Sequence, residues 1–473
     1  MENLMSFSAL AHSLGARLFT WEGRQTADLC PEGFSSVSID SKAVRPGALF
    51  VALRGSARDG HCFVEDAFKA GASGAIVALS ALEDAALGLS GLAQKWNRVL
   101  IVVENTLKAL QDSAAAYLKQ FTNLIRIGIT GSSGKTTTKE IAAAIIGREK
   151  SVVMNKGNLN SETGLPLSVF EVRPHHEVGV FEAGMNRPGE IAELAQVLNP
   201  NLALITNIGS AHIGIIGSRE AIAAEKKKIF SAFTGANTAL IPSDDDYRDF
   251  LAKDVMGRTV FYGASSLPGL GGTKDLGLDG TEIVWEGSPV RFGLPGRFNL
   301  HNALAAAALA LELPVSADSV RAGLQSVKPL FGRGEIFRGR TTVIRDCYNS
   351  NPESLNAALD FCDSLEWPGR RIYVIGSMLE LGDASGEAHT GIGRRLAESR
   401  GDMVCLFGEE IRAAADVLEK MDVPFMYTCG MDELSAALDD YVKSGDLVLL
   451  KGSRGCALET LTEILTGGNT DVS

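Results

Sequence analysis

The chain has little of what membrane, secreted and nucleic-acid-binding proteins usually contain. No stretch of its 473 residues reaches the roughly 20 apolar positions that span a bilayer, and residues 1–15 lack the basic and apolar segments of a signal peptide. The formal net charge of −12 leaves no excess of Lys and Arg to neutralise nucleic-acid phosphates. The seven cysteines include no CxxC pair, which favours reduced thiols over disulfides or a zinc site. We therefore expect a cytoplasmic protein that neither enters a membrane nor binds nucleic acid.

The composition and length predict an α/β protein of several domains. Hydrophobic residues make up 45% of the chain, and 51 residues are glycine, as in glycine-rich globular α/β proteins. A chain of 473 residues also exceeds what one hydrophobic core usually organises. We predict three domains: a small N-terminal α/β domain over residues 1–103, a central domain of the phosphate-loop type with a mixed sheet over 104–328, and a C-terminal Rossmann-like domain over 329–473.

Apolar runs and turn signals predict the individual elements of these domains. The expected strands of the three regions are residues 48–53 and 74–78, then 124–130, 178–182 and 202–207, then 342–346, 371–375, 403–407 and 447–450. The expected helices include residues 62–70, 106–120, a segment starting at Lys135, and one containing 302–311. The glycine-rich residues 268–280 are expected to form an exposed connection.

The strongest local signal is a glycine-rich turn between an apolar strand and a helix. Glycines let backbone N–H groups approach phosphate oxygens, a lysine supplies positive charge, and a following hydroxyl suits Mg²⁺. Residue 129 is Ile129 where the common P-loop pattern has glycine, so the loop has the shorter form TGSSGKTT. The alternative is a glycine-rich turn without a ligand. We predict that ATP binds through Gly131, Ser132, Ser133, Gly134, Lys135, Thr136 and Thr137.

Two further polar residues lie at or beyond the carboxyl ends of strands expected in the same sheet. Glu182 ends one strand, and His212 stands in a turn beyond another. Ligands bind at this edge of open α/β sheets, and carboxylate oxygens suit Mg²⁺. The alternative readings are a solvated carboxylate and a structural histidine.

Four stretches together resemble the Mur ligase family. They are the phosphate loop, residues 182–191 (EAGMNRPGEI), residues 206–212 (TNIGSAH) and residues 346–352 (DCYNSNP), in order over nearly the whole chain. The second and fourth are closest to the MurF branch. The resemblance implies an ATP- and Mg²⁺-dependent amide ligase that joins D-alanyl-D-alanine to a UDP-N-acetylmuramoyl-tripeptide through an acyl phosphate.

The resemblance also implies roles for individual residues. Lys135, Lys226, His212 and Glu182 are expected in catalysis, and Thr136, Glu182, His212 and Lys226 around the metal. Lys226 matches the lysine that is carbamylated in the family, although Lys227 and Lys228 offer equivalent amines. Asn302 is expected at the adenine, Asp346 at the ribose and Arg333 near the phosphates. The UDP-linked substrate is expected to contact Ser38, Asp40, Ser41, Asn158, Asn160, Lys451 and Arg454.

Two alternative functions remain open for a chain with this phosphate loop. Another ligase of the same superfamily would use a different amine acceptor, and a nucleotide-dependent switch would ligate nothing. A GTPase would carry an NKxD-like guanine motif, which does not follow this loop.

The phosphate loop and Asp346 lie in different regions, so we expect catalysis to require domain closure about a hinge near residues 327–333. We expect a monomer whose third domain is turned away before ligands bind.

Overall fold

The first region of the chain forms an α/β domain around a five-stranded sheet. The computed structural model describes residues 3–19, 33–55 and 58–468. The elements of this domain are strands β1 (Met5–Ser6), β2 (Arg17–Phe19), β3 (Gly33–Phe34), β4 (Ser36–Ser38), β5 (Ala48–Val51), β6 (Gly74–Ala78) and β7 (Val99–Val103), and helices α1 (Phe7–Leu14), α2 (Val64–Lys69), α3 (Leu79–Leu82) and α4 (Leu89–Trp96). The sheet order is β2-β7-β6-β5-β4, with only β2 antiparallel to its neighbour, and β1 pairs separately with β3.

The central domain is built on a six-stranded sheet that is parallel throughout. Its elements are α5 (Thr106–Leu118), β8 (Ile125–Thr130), α6 (Lys135–Ile146), β9 (Val152–Met154), α7 (Gly164–Val169), β10 (Val178–Glu182), α8 (Glu190–Leu198), β11 (Leu202–Ile205), α9 (Ile213–Ile216), α10 (Arg219–Lys227), β12 (Thr238–Pro242), α11 (Arg248–Ala252), β13 (Arg258–Tyr262), β14 (Leu270–Asp275), β15 (Thr281–Trp285), β16 (Ser288–Phe292), α12 (Arg297–Leu311) and α13 (Ala317–Ser326). The strand order β13-β12-β11-β8-β10-β9 places β8 where the chain changes direction across the sheet, which is where such sheets bind ligands.

One predicted connection is instead a strand. Residues 268–280 contain β14, which pairs antiparallel with β15 in a separate three-stranded sheet, β14-β15-β16. The prediction of an exposed connection was therefore wrong. Most of β14 is exposed and two of its residues are Gly271 and Gly272, beside a register irregularity, so its sequence lacks the apolar alternation of a half-buried strand. The mixed sheet expected for this domain is instead two sheets, one parallel and one antiparallel, and neither is itself mixed.

The first and central domains share one hydrophobic core. Helix α5 packs against α1 on one side and against α7 and α8 on the other. The rings of Phe34 and Phe170, which belong to different domains, lie 6.3 Å apart, and the Tyr117 hydroxyl donates to the Val172 carbonyl at 2.6 Å. The packing of α1 on α5 and the contact between Phe34 and Phe170 hold the first domain against the central domain, and the bond from Tyr117 fixes α5 within the central domain.

The third domain is Rossmann-like, as predicted. Its elements are β17 (Glu335–Arg338), β18 (Thr342–Asp346), α14 (Pro352–Ser364), β19 (Arg371–Gly376), α15 (Ser385–Ala397), β20 (Met403–Phe407), α16 (Arg412–Lys420), β21 (Phe425–Thr428), α17 (Met431–Tyr441), β22 (Leu447–Lys451) and α18 (Thr462–Thr466). In the order β17-β18-β22-β19-β20-β21, only the edge strand β17 runs antiparallel.

Local patterns located most of these elements well. Strands β6, β10, β18 and β20 have the predicted bounds, and β19 and β22 each extend one residue further. Helix α12 begins at Arg297, earlier than the apolar segment that predicted it, because its first turn mixes polar and apolar residues after Gly296. None of the helices in the described ranges combines the length and apolar character that crossing a bilayer requires.

Helices α13 and α6 approach so closely that one glycine between them is required. A Cβ added at Gly323 would lie 2.4 Å from the Ile145 Cα. We expect Gly323→Ala to destabilise the protein by roughly 1–3 kcal/mol through overpacking, which outweighs a helix-propensity gain of at most about 1 kcal/mol. The control is Gly391→Ala in α15, where an added Cβ meets nothing within 4 Å. Thermal unfolding should show a lower midpoint for the first variant only; equal midpoints would contradict this packing.

Candidate active site

The central and C-terminal sheets contribute their carboxyl ends to one cavity of about 740 Å³. The phosphate loop lines one side, and residues that follow β18 and β22 line the other. The two domains thus already face each other in this structure. The arrangement expected without ligands, with the third domain turned away, is not observed. Of the residues predicted from the sequence, the cavity is lined by Ser132, Ser133, Gly134, Lys135, Thr136, Thr137, Asn158, Asn160, Glu182, His212, Asn302, Arg333, Asp346, Lys451 and Arg454.

The phosphate loop connects the end of β8 to the start of α6. Helix α6 begins at Lys135, and the residue before it, Gly134, makes no side-chain cap. The first N–H groups of a helix carry partial positive charge and bind phosphate oxygens well. The loop therefore has the geometry expected for binding a polyphosphate.

Two glycines of this loop are required by close contacts. Gly134 has φ +76°, and a Cβ there would lie 2.1 Å from Asn302 Oδ1. A Cβ at Gly131 would lie 1.8 Å from Thr206 Oγ1. Neighbouring polar side chains thus fill the space beneath the loop, so any larger residue at either position would displace them.

The loop after β11 holds the phosphate loop in place through side-chain hydrogen bonds. The Thr206 hydroxyl donates to the Ser133 carbonyl at 2.6 Å. Asn207 accepts from the Ser133 N–H at 3.0 Å with its Oδ1 and donates to the Ser133 carbonyl with its Nδ2. These two residues were not predicted as site residues, although they belong to the TNIGSAH stretch. Their polar side chains directly after a buried strand were the available signal.

Two lysine side chains meet beneath the loop. The amine of Lys135 donates to the Gly131 carbonyl at 2.8 Å, and that of Lys226 donates to the same oxygen at 2.9 Å. Burial lowers the pKa of Lys135; the Glu182 carboxylate opposes that shift, and Arg333 adds to it. Lys226 is almost completely buried, and burial together with the charge of Lys135 lowers its pKa well below the usual value. Lys226 does not line the cavity.

The three consecutive lysines have different surroundings. The Lys227 amine donates to the carbonyls of Phe250 and Lys253 at the protein surface. The Lys228 amine is paired with Glu225 at 2.6 Å. Only the Lys226 amine approaches the phosphate loop, which distinguishes three side chains that are equivalent in the sequence.

Glu182 lies between the phosphate loop and the loop after β9. Its Oε2 accepts from the Thr136 hydroxyl at 2.7 Å, and its Oε1 accepts from the Asn160 amide at 2.5 Å. The residue is 1% exposed. A nearly buried carboxylate beside a phosphate-loop hydroxyl places two hard oxygen atoms close together, as a divalent cation requires.

His212 borders the same cavity in an unusual backbone conformation. It has φ +65° immediately before α9, and its Nδ1 lies 3.2 Å from a carboxylate oxygen of Glu380 without the geometry of a hydrogen bond. Burial, with the charges of Lys135 and Lys226, lowers the pKa of His212 to about 4. The imidazole is therefore neutral near pH 7, and a neutral ring nitrogen can bind a metal.

The residues expected around Mg²⁺ fit a hard cation only in combination with other oxygen atoms. Thr136 and Glu182 are in contact, and His212 has a buried nitrogen without a hydrogen-bond partner. Among the residues that the structure describes, no three His, Cys, Asp or Glu side chains form a metal-binding group. Mg²⁺ prefers six ligands and often retains water and substrate phosphates. The site thus suits a cation that arrives with a nucleotide.

The C-terminal domain supplies three cations, Arg333, Lys451 and Arg454, and three carboxylates, Asp346, Glu353 and Glu380, to the opposite wall. Asp346 pairs with Lys451 at 3.0 Å, and the Lys451 amine also donates to the Asn349 carbonyl at 2.7 Å. The Arg333 guanidinium lies 4.1 Å from the centre of the Tyr348 ring. Positive and negative side chains are therefore interspersed on this wall.

Three of the residues predicted to contact the UDP-linked substrate, Ser38, Asp40 and Ser41, do not line this cavity. Ser38, Asp40 and Ser41 lie in the first domain, where the Ser38 hydroxyl donates to the Asp40 carbonyl at 2.8 Å and the Asp40 carboxylate accepts from the Lys42 N–H at 2.9 Å. They form a turn among themselves. A substrate that contacted this turn and the phosphate loop would have to extend between two domains.

A contact between domains was not predicted. The Glu353 carboxylate, at the start of α14, accepts from both the N–H and the hydroxyl of Ser210, at 2.9 and 2.8 Å. Both residues lie in or beside stretches that carry the family resemblance, but nothing local in the sequence indicated that the stretches meet. The contact places the loop after β11 against the C-terminal domain.

Comparison with known proteins identifies the family and the fold of this chain. Three family descriptions match successive parts of the chain: Mur ligase family, catalytic domain, over residues 34–118; Mur ligase middle domain over 129–310; and Mur ligase, glutamate ligase domain, over 332–454. The UDP-N-acetylmuramoyl-tripeptide--D-alanyl-D-alanine ligase of Treponema pallidum is 43% identical over 98% of this chain and 99% of its own. The chain belongs to the Mur ligase family.

Solved structures of this family have the same three-domain arrangement. A crystal structure of MurF from Acinetobacter baumannii aligns with a TM-score of 0.86 and 28% identity over 99% of both chains. MurF from Thermotoga maritima in complex with ADP aligns with a TM-score of 0.76 and 29% identity, over 92% of this chain and 97% of that one. The similarity to the MurF branch of the Mur ligases is thereby confirmed.

The low pKa of His212 makes a testable contribution to stability. The unfolded histidine binds a proton near pH 6.5 and the folded one only near pH 4. Wild-type protein should therefore lose roughly 2–3 kcal/mol of unfolding free energy through this group between pH 8 and pH 4.5. His212→Gln removes this loss, so the stability difference between variant and wild type should shift in favour of the variant as pH falls. Denaturant titrations at the two pH values would measure it; a constant difference would contradict the low pKa.

Proposed function

We propose that this chain is an ATP-dependent ligase that joins D-alanyl-D-alanine to UDP-N-acetylmuramoyl-tripeptide and releases ADP and phosphate. The product is the UDP-linked muramoyl-pentapeptide precursor of peptidoglycan. The observation that carries the proposal is a phosphate loop facing the cations of a second domain across one cavity, in a chain 43% identical to a ligase named for this reaction. Both reactants with ATP are expected in the cytoplasm, and a monomer is expected to suffice.

The reaction requires positioning and charge neutralisation rather than a protein nucleophile. The terminal carboxylate of the tripeptide attacks the γ-phosphorus of ATP, the bond to ADP breaks, and an acyl phosphate forms. The amine of D-alanyl-D-alanine then attacks the acyl carbon, loses a proton and expels phosphate. Lys135 and the first N–H groups of α6 are suited to stabilise the negative charge that builds up on the phosphoryl oxygens.

The C-terminal domain has a complementary part in this scheme. Arg333, Lys451 and Arg454 bring positive charge to the wall opposite the phosphate loop, and Asp346 is suited to a ribose hydroxyl. Asn302, whose carboxamide lies against Gly134, is proposed near the adenine. An acyl phosphate hydrolyses if water reaches it, so a cavity enclosed by two domains protects the intermediate.

We propose that Thr136, Glu182, His212 and a carbamylated Lys226 hold Mg²⁺ together with the phosphates. When bound, Mg²⁺ would neutralise phosphate charge and orient the transferred group. The lowered pKa of Lys226 supports carbamylation, because only a neutral amine reacts with CO₂. The carbamate would supply the anionic oxygen that a lysine lacks.

The UDP-linked substrate is proposed to extend from the first domain to the cavity. Its uridine end is assigned to Ser38, Asp40 and Ser41, and its peptide end to the neighbourhood of Asn158 and Asn160. Both asparagines line the cavity, and Asn160 is bonded to Glu182. In this orientation of the substrate, the peptide carboxylate reaches the phosphate loop.

Direct assay tests the reaction and its acceptor. Purified protein with ATP, Mg²⁺, UDP-N-acetylmuramoyl-tripeptide and D-alanyl-D-alanine should release ADP and form the pentapeptide, observed by mass spectrometry. Omitting the dipeptide should prevent product formation, and Lys135→Ala should abolish turnover with an unchanged circular dichroism spectrum. ADP release at the same rate without dipeptide would indicate a simple ATPase, and acceptance of an amino acid in place of the dipeptide would indicate another Mur ligase.

The carbamylation proposal predicts different effects at adjacent lysines. Lys226→Ala should reduce turnover by about 100-fold or more, because an oxygen ligand and its charge are lost. Acetate or formate in the assay should restore part of the activity by replacing the carbamate oxygen. Lys227→Ala is the matched control and should retain activity, since its amine contacts only surface carbonyls. Full activity of Lys226→Ala would refute the assignment.

A further inference from the structure

Lys139 is a buried lysine that has no role in the proposed reaction. It lies in α6, one turn after the start of the helix at the phosphate loop, and has no exposed surface. Its amine donates to the main-chain carbonyl of Asn155 at 2.5 Å and lies 3.2 Å from a carboxylate oxygen of Glu140. Burying an ammonium group is costly, so its contact with Asn155 calls for an explanation.

Asn155 is also completely buried, and its side chain bonds only to backbone. Its Oδ1 accepts from the Glu182 N–H at 2.9 Å, and its Nδ2 donates to the Glu182 carbonyl at 3.0 Å. The same Nδ2 donates to the Leu159 carbonyl at 2.8 Å. One carboxamide therefore joins the end of strand β10 to the loop that carries Asn158 and Asn160.

These contacts form a closed ring through the site. Helix α6 bonds the Glu182 carboxylate through the Thr136 hydroxyl, and it bonds the Glu182 backbone through Lys139 and Asn155. Thr136 and Lys139 are three residues apart and so lie on the same side of the helix. Helix α6 thus fixes the positions of both the backbone and the carboxylate of Glu182.

We propose that Asn155 and Lys139 are positioning residues that hold the Glu182 carboxylate against Thr136 and so determine how tightly a divalent cation binds with the nucleotide. The inference rests on the proposed function, because it gives Glu182 a role in metal binding. Residues that orient a metal ligand without touching the metal typically change affinity by about 10–100-fold when removed. If Asn155 and Lys139 only stabilised the fold, their removal would not selectively weaken metal binding.

The test compares ADP binding with and without Mg²⁺ by calorimetry, together with the Mg²⁺ concentration that gives half-maximal ligation. Asn155→Ala should lose most of the Mg²⁺-dependent gain in ADP affinity and raise the half-maximal Mg²⁺ concentration about tenfold. ADP affinity in EDTA should stay within about twofold, because the phosphate loop is untouched. The calorimetric measurement needs no turnover, so it can fail or succeed independently of the ligase proposal.

A buried asparagine elsewhere in the same domain provides the matched control. Asn237 accepts from the Thr234 N–H and donates to the Pro200 carbonyl, both at 2.8 Å, and does not line the cavity. Asn237→Ala should lower the unfolding midpoint and leave Mg²⁺ dependence unchanged. Equal Mg²⁺ effects in the two variants would overturn the proposal, as would a loss of ADP affinity in Asn155→Ala that is the same with Mg²⁺ and with EDTA.

Lys139 variants test the same ring without touching Asn155. Lys139→Met keeps the length of the side chain and removes the donor, whereas Lys139→Arg keeps a donor. The first should weaken Mg²⁺-dependent ADP binding and the second should restore most of it. If Asn155→Ala does not fold, these two variants decide: identical Mg²⁺ dependence in Lys139→Met and wild type refutes the proposal.

Discussion

Two lysine amines donate to the same carbonyl oxygen, that of Gly131, and this convergence constrains the rest of the site. Burial lowers the pKa values of both Lys135 and Lys226, and the charge of Lys135 lowers that of Lys226 further. The arrangement is relieved by an anion above the loop, by a neutral Lys226, or by both. A polyphosphate and a carbamate are therefore complementary to this site in electrostatic terms, although they occupy different places in it.

Hydrogen bonds from side chains to backbone provide the rigidity that this charge arrangement needs. Thr206 and Asn207 hold the phosphate loop from one neighbouring strand, and Asn155 holds Glu182 on the other. Neutral amides and hydroxyls can be buried when their hydrogen bonds are satisfied, and they add no charge to compete with the ligand. The charged side chains proposed for catalysis are thus positioned by groups that are themselves uncharged, with Lys139 as the exception.

The cavity depends on two domains, because each contributes part of its charged lining. The phosphate loop alone would bind a nucleotide in contact with water, where electrostatic stabilisation is weak. The C-terminal domain encloses that nucleotide and adds three cations together with three carboxylates. The contact between Glu353 and Ser210 joins the two walls, and Ile213 and Leu278 of the central domain pack against the C-terminal core. Each domain has its own sheet, so an opening motion would have to separate these contacts but no strand pairing.

The sequence by itself determined the elements and the chemistry that depend on neighbouring residues. Strands β6 and β20 were predicted to the residue because buried parallel strands are short apolar runs. The phosphate loop was predicted because its glycines and hydroxyls are contiguous. Glu182 was found because it ends such a strand. Resemblance extended this to residues in other domains, but their roles remain predictions.

Tertiary structure alone decided what depends on distant parts of the chain. Three adjacent lysines are chemically equal in the sequence, and only the packing of α10 sends Lys226 to the phosphate loop. Asn155 and Lys139 gave no signal because their partners are 27 and 16 residues away. The strand within residues 268–280 was missed because pairing with β15, rather than its own composition, makes it a strand. Hydrogen-bond partners and burial are properties of the folded chain, and local patterns do not encode them.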